Sequence, residues 1–290
     1  MNTTKELIDL IELKQINNHN FEGKSISVGS ANVFGGQVLA QALNAASRTV
    51  PEDRVCHSIH AYFILRGDLE KPIHYRVQRV RDGGSFTTRY VTAEQDDKSI
   101  FVLAGSFQIR EKGYEFQGKM PVVPGPESVL SLAEIYEQTK NFLPEKLKRF
   151  LSKERPVTFK PTVLPDLLGK SDLPPNQNIW FRFNEVSDNL GIQHFQEVLA
   201  YASDYNLLPT ALHPHASKAN PANTMLASLD HAMWFHREPE KFSDWFLYNI
   251  DVQSNSNARG LVTGKIFSQD GKLIASVAQE GLIREAIKKG

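Results

Sequence analysis

A chain of 290 residues, 41% hydrophobic and 23% charged, can bury a substantial core in one large or two ordinary domains, and its profile excludes a disordered protein. Thirty-three basic residues balance thirty-three acidic ones, so no overall basic field exists and no nucleic-acid partner is expected. The single cysteine, Cys56, excludes an intramolecular disulfide and, within an apolar run, reads as a small buried hydrophobe in a reducing compartment.

The first ten residues mix Lys5, Glu6 and Asp9 among apolar side chains and lack the apolar core of a signal peptide. No run is long and apolar enough for a transmembrane helix, and Lys288-Lys289-Gly290 is not a peroxisomal address. A cytoplasmic protein with no membrane partner is expected. Thr3 and Glu6 form a capping-box pattern that predicts a short amphipathic helix through Leu7, Leu10 and Ile11.

Residues 36–48 are apolar or small on nearly every side, which predicts a buried helix. Its polar stripe is Gln37, Gln41 and Asn44, at helical spacing. From Arg54 to Arg110, β-branched and aromatic runs broken by Gly67-Asp68, Asp82-Gly83-Gly84 and Asp96-Asp97 predict antiparallel strands. Pro121, Pro124 and Pro126 and a charged helical stretch, Leu143 to Arg155, then predict a linker with its own helix.

After the linker the pattern restarts. Val38 to Asn44 lines up with Val198 to Asp204, His60-Ala61 with His231-Ala232, and Gln95 to Lys98 with Gln269 to Lys272. The matches are collinear at offsets of 160, 171 and 174, and a longer Pro-rich loop, Leu212 to Asn223, accounts for the first increase. The expected fold class is α+β: two tandem units, each an antiparallel sheet wrapped round a central helix. The expected boundaries are 1–115, 116–156 for the linker, and 157–290.

Five separated motifs, Val33-Phe-Gly-Gly-Gln-Val38, Arg81-Asp-Gly-Gly-Ser-Phe86, Tyr201-Ala-Ser-Asp204, Asp230-His-Ala-Met-Trp-Phe-His236 and Gln279-Glu-Gly281, resemble the acyl-CoA thioesterase II family. The resemblance spans the chain to about residue 285 and implies a double hot-dog fold, an acyl-CoA substrate and no cofactor. The family's catalytic Asp, hydroxyl residue and Gln fall on Asp204, Ser228 and Gln279; many members carry Thr at the second, and either hydroxyl offers one donor and two lone pairs. The resemblance and the edge strands of such sheets imply a homo-oligomer, a dimer or tetramer.

Thioester hydrolysis needs a base, a positioned water and an oxyanion donor. Asp204 ends a polar stripe on a buried helix, where a carboxylate gains basicity; its bland alternative is a satisfied helix-end carboxylate. Ser228, preceding Leu229-Asp230-His231 on a predicted strand, is a candidate to hold the water. Gln279 shares a strand face with Ala275 and Val277, and its carbonyl is expected to accept from the water while its amide fixes Asp204 or Ser228. The oxyanion donor is sought among backbone N–H groups at a helix start. In the first unit Asn44 and Gly105 stand at the positions of Asp204 and Gln279, so that half is expected to be silent.

The histidines lack a metal-ligand pattern, so no metal is expected; His57 and His231 are expected to touch the site. The turn from Arg81 through Gly83 and Ser85 to Phe86 suits a phosphate of coenzyme A, or is a plain hairpin. Phe63, Phe101, Phe107, Trp234 and Phe235 line an acyl tunnel or fill a core. Gly169-Lys170-Ser171 ends like a P-loop but lacks its first glycine, at Leu164. Without Gly-x-Ser-x-Gly an acyl-enzyme serine hydrolase is rejected. A hot-dog dehydratase and a non-catalytic acyl-CoA binding module are the alternatives.

Overall fold

A computed structural model describes residues 1–285 apart from 30, 144, 146, 147, 149, 150, 165–170 and 220–222. α1 (Thr4–Ile11) begins at the predicted capping box: Glu6 N donates to Thr3 Oγ1, and Thr3 N donates to the Glu6 carboxylate. It buries Leu7 and Ile11. Its first turn is tied to the other half of the chain, because Thr4 N and Oγ1 both donate to Asn184 O.

The predicted buried helix is α2 (Gly35–Ser47), with every residue from Gly36 onward buried. Its counterpart, buried from Phe195 to Ser203, is the twelve-residue α4 (Ile192–Ser203). The two helices pack side by side. α3 (Leu132–Thr139) lies between them in sequence, and α5 (Leu207–Thr210) is a single turn after α4.

The strands of the first half are β1 (Lys14–Gln15), β2 (Asn20–Gly23), β3 (Arg54–Phe63), β4 (Ile73–Asp82), β5 (Phe86–Gln95) and β6 (Lys98–Ile109). Those of the second are β7 (Val157–Pro161), β8 (Asn176–Phe183), β9 (Thr224–Ser228), β10 (Asp230–Phe235), β11 (Phe246–Ser256), β12 (Arg259–Ser268) and β13 (Leu273–Glu285). In β4, Ile73, Tyr75 and Val77 are buried while His74, Arg76 and Gln78 are exposed, the two-residue period of a half-buried strand. Asp96 and Asp97 close the β5–β6 hairpin with φ of 50° and 57°, the left-handed pair that matches strand twist.

All strands join one antiparallel sheet of order β1-β2-β4-β5-β6-β3-β10-β13-β12-β11-β8-β7, with β9 also on β13. Outward from the β3–β10 seam the order is β3-β6-β5-β4-β2 on one side and β10-β13-β12-β11-β8 on the other. The two series are the same topology, so the sheet is two hot-dog units joined edge to edge round two central helices. The seam pairs Ala61 with His231 and Ile59 with Met233.

Two expectations need correction. The linker carries α3, capped by Ser131 and Glu134 in a second capping box, and the predicted Leu143–Arg155 stretch after it lies partly outside the described residues. The same is true of the 212–223 loop, and Gly169, Lys170 and residues 288–290 lie wholly outside them. Ser228 does not continue into Leu229-Asp230-His231 as one strand: Leu229 separates β9 from β10, donating to Glu280 O and accepting from Phe63 N. Finally, His60 and His231 are not equivalent. His60 is on the outer face against Trp234, and His231 is fully buried on the inner one.

The linker also explains why Ile179, Trp180 and Phe181 are buried in succession. Trp180 Nε1 donates to Pro124 O, and Leu273 N donates to Gln117 Oε1. The segment thus straps the outer face of the second unit and closes a small core of Trp180, Trp245, Leu247 and Phe267.

Candidate active site

α2 starts without a side-chain cap, because its N-cap residue is Phe34, and its first N–H groups need an outside acceptor. Asp204, the C-cap of α4, supplies one: Gly36 N donates to its Oδ2 at 2.8 Å. Glycine makes this approach possible. A Cβ on Gly35 would stand 2.8 Å from Asp204 Oδ2, and one on Gly36 only 2.5 Å from the Tyr201 carbonyl oxygen. The Gly-Gly pair at the head of a buried helix is the sequence signal of this close approach.

Two opposing effects act on the Asp204 carboxyl. Burial holds it above the usual carboxylate range, and His231, the Gln279 amide and the Gly36 N–H offset this in part. Its Oδ1 is buried with no hydrogen-bond partner among the described residues.

Ser228 ends β9 opposite Gly281 of β13. Two residues earlier on the inner face of β13, Gln279 donates from Nε2 to Ser228 Oγ at 2.6 Å. Its Oε1 accepts from His231 Nδ1 at 2.8 Å. The Gln279 carbonyl thus gives one of its two lone pairs to the imidazole, and its amide holds Ser228. His231 Nε2 lies 3.0 Å from the hydroxyl of Ser203, the residue before Asp204. The fold thus brings Asp204, Ser228, Gln279 and His231 together from α4, β9, β13 and β10.

His57, Arg81, Gly83, Ser85 and Phe86 form a separate group. His57 Nε2 bonds Ser106 Oγ at 2.8 Å and meets the Phe86 ring edge-on. Gly83 N donates to Phe86 O, Ile109 N donates to Ser85 O, and Arg54 caps the Gly83 and Gly84 carbonyls, so the turn is a closed hairpin with Arg81 exposed. It lies beside the start of α4, where Gln196 Nε2 donates to Cys56 O. Asp204 is at the far end of that helix, about 12 Å beyond Gln196 along its axis. Of the aromatic candidates, Phe101 and Phe107 are core residues and Trp234 faces outward.

The seam places a mirror cluster in the first unit. Asn44 takes the place of Asp204 and donates Nδ2–H to Glu197 Oε1 at 3.1 Å. Cys56 pairs with Phe107 just before a register shift, as Ser228 pairs with Gly281 before Leu229. Ile59 pairs with Gly105, where the second unit has His231 and Gln279. No hydroxyl, amide or imidazole stands at those three mirrored positions.

Two hot-dog units fused through one seam, with a buried carboxylate set against a serine and a glutamine, make this a double hot-dog enzyme. The family described as acyl-CoA thioesterase matches residues 147–282, and the acyl-CoA thioesterase N-terminal domain matches residues 25–108. Acyl-CoA thioesterase 2 of Haemophilus influenzae is 41% identical over 96% of both chains. Acyl-coenzyme A thioesterase 8 of Homo sapiens is 36% identical over 95% of this chain and 88% of its own length. The crystal structure of the acyl-CoA thioesterase II TesB2 of Mycobacterium marinum superposes with a TM-score of 0.78 at 33% identity, covering 97% of this chain and 99% of that one. The chain belongs to the acyl-CoA thioesterase II family, and it is a thioester hydrolase.

Proposed function

We propose that the protein hydrolyses fatty acyl-CoA to a free fatty acid and coenzyme A, with Asp204 as general base and Ser228 and Gln279 positioning the water. The observation that carries this reading is the Asp204 Oδ1 atom, buried and without a hydrogen-bond partner among the described residues, in a cluster with the Ser228–Gln279 pair. With one lone pair taken by Gln279, the Ser228 hydroxyl keeps a second lone pair and its proton for a water. Asp204 removes a proton as the water oxygen attacks the thioester carbonyl. The tetrahedral intermediate then collapses with cleavage of the C–S bond, and the proton on Asp204 passes to the departing thiolate. In this reading residues 1–115 are the silent unit, 116–156 the linker and 157–290 the catalytic unit.

Incubation with a saturated acyl-CoA should release free thiol. A dehydratase would leave that substrate intact, and a binding module would retain it without turnover. Ser228→Thr should keep most activity, because the hydroxyl remains and a β-branched residue suits a strand. Ser228→Ala should lose far more, and an equal fall in kcat for both variants would show that the hydroxyl does not hold the water.

A raised Asp204 pKa also sets the acid limb of the rate profile. The base works only when ionised, so kcat should fall as pH drops through a midpoint above the ordinary aspartate value of about 4. A limb at or below that value, measured on a saturated substrate, would contradict a buried base.

No helix among the described residues is long and apolar enough to cross a membrane, and we place the activity in the cytoplasm. The sheet ends in the short strands β1 and β7, and we propose a homo-oligomer, a dimer or tetramer, that covers such edges. A light-scattering mass of one chain at micromolar concentration would argue against it.

A further inference from the structure

His231 is absent from the three-residue mechanism, yet it is held as firmly as Gln279. It is fully buried, and both ring nitrogens are engaged, Nδ1 with Gln279 Oε1 at 2.8 Å and Nε2 with Ser203 Oγ at 3.0 Å; the Ser203 hydroxyl also reaches Ala200 O at 2.8 Å and turns its one proton to Nε2 when the ring is protonated on Nδ1 alone. An amide oxygen only accepts, so the proton of this pair is on Nδ1. The consequence falls on Gln279. An amide can turn over end for end at little cost, and in the turned orientation its oxygen would face Ser228. A donor fixed opposite Oε1 prevents this, because turning would set an N–H against the Nδ1–H.

We propose that His231 is a positioning residue that holds the Gln279 amide with its nitrogen toward Ser228 and ties the end of α4, hence Asp204, to β13. The second tie is the Ser203 contact, one residue from Asp204. Tyr248 steadies the same corner by donating its hydroxyl to Ser203 O at 2.9 Å. The charged groups around the ring are Asp204 and Asp230, and Asp230 Oδ1 is occupied by Glu280 N at 2.7 Å. The first unit has Ile59 and Gly105 paired at the mirrored positions; with no amide to orient there, no imidazole is required.

This inference rests on the Asp204, Ser228 and Gln279 reading, and its test separates the two. Nitrogen-15 NMR of the histidine-labelled protein reports the tautomer without any turnover. The expected signature for His231 is a proton on Nδ1, and a neutral ring protonated on Nε2 alone would overturn the proposal. In kinetics, His231→Leu should lower kcat by about 10-fold or more with KM within about twofold, since the groups it orders act on the water. His231→Asn, whose amide can reach Gln279 as Nδ1 does, should recover most of the loss. Equal kcat for the Leu and Asn variants, or an unchanged kcat in His231→Leu, would refute it. Should His231→Leu fail to fold, the tautomer in the unmodified enzyme still decides. Full activity in Asp204→Asn would instead remove the underlying reading and leave the tautomer result standing.

Discussion

Asp204→Asn is expected to lower turnover on a saturated acyl-CoA by about 100-fold or more, the range for loss of general-base assistance, while folding and acyl-CoA binding persist. Asn is nearly isosteric and its carbonyl can still accept from Gly36 N as the carboxylate does. Asn44 already fills the mirrored place and is buried. The stability of the variant carries its own sign. Burial raises the Asp204 pKa in the folded state, so the stability associated with its proton is complete below the unfolded value of about 4 and is lost as pH rises through the folded one. At neutral pH the ionised carboxylate is therefore a cost to folding. Asp204→Asn should unfold at an equal or higher temperature at pH 7, with the advantage gone in acid. Unchanged turnover would sink the base assignment and make His231 the group to pursue.

Gly36→Ala should be among the most damaging single-methyl additions. The new Cβ would stand 2.5 Å from the Tyr201 carbonyl oxygen, and that oxygen belongs to helix backbone and cannot swing aside as a flexible side chain could. Overpacking of this kind costs about 1–3 kcal/mol, and the better helix propensity of Ala returns up to about 1 kcal/mol of it. We expect a net loss of roughly 1–2 kcal/mol in urea unfolding and a fall in kcat of about 10-fold, because the helices part where Gly36 holds Asp204. Gly84→Ala is the control, since nothing lies within 4 Å of its Cβ position. A Gly36→Ala protein as stable and as active as the original would mean that the helices do not approach so closely.

Local physics made much of this protein legible from its residues. Thr3 and Glu6 start α1 because they satisfy each other's backbone groups. Gly36 to Ser47 are buried on all sides because nearly all are apolar or small. Asp96 and Asp97 turn a hairpin because aspartate tolerates the left-handed region. These are short-range preferences, readable within a few residues. Asp204, Ser228 and Gln279 were found through the family resemblance, since singly each passes for an ordinary helix-end, strand or core residue.

Tertiary structure alone decided what those residues meet. The match of His60 to His231 was by identity, and a shift of one residue in a strand reverses the face, so one histidine points out and the other into the cluster. The Gln279 carbonyl meets His231, a partner 48 positions away that no local pattern announces. Gly35 and Gly36 matter only because a carboxylate 168 positions later reaches the start of their helix. Such contacts depend on where β3 joins β10 and on how closely α2 and α4 pack. That geometry is set by the whole sheet and both helices together, and no periodicity within one segment carries it.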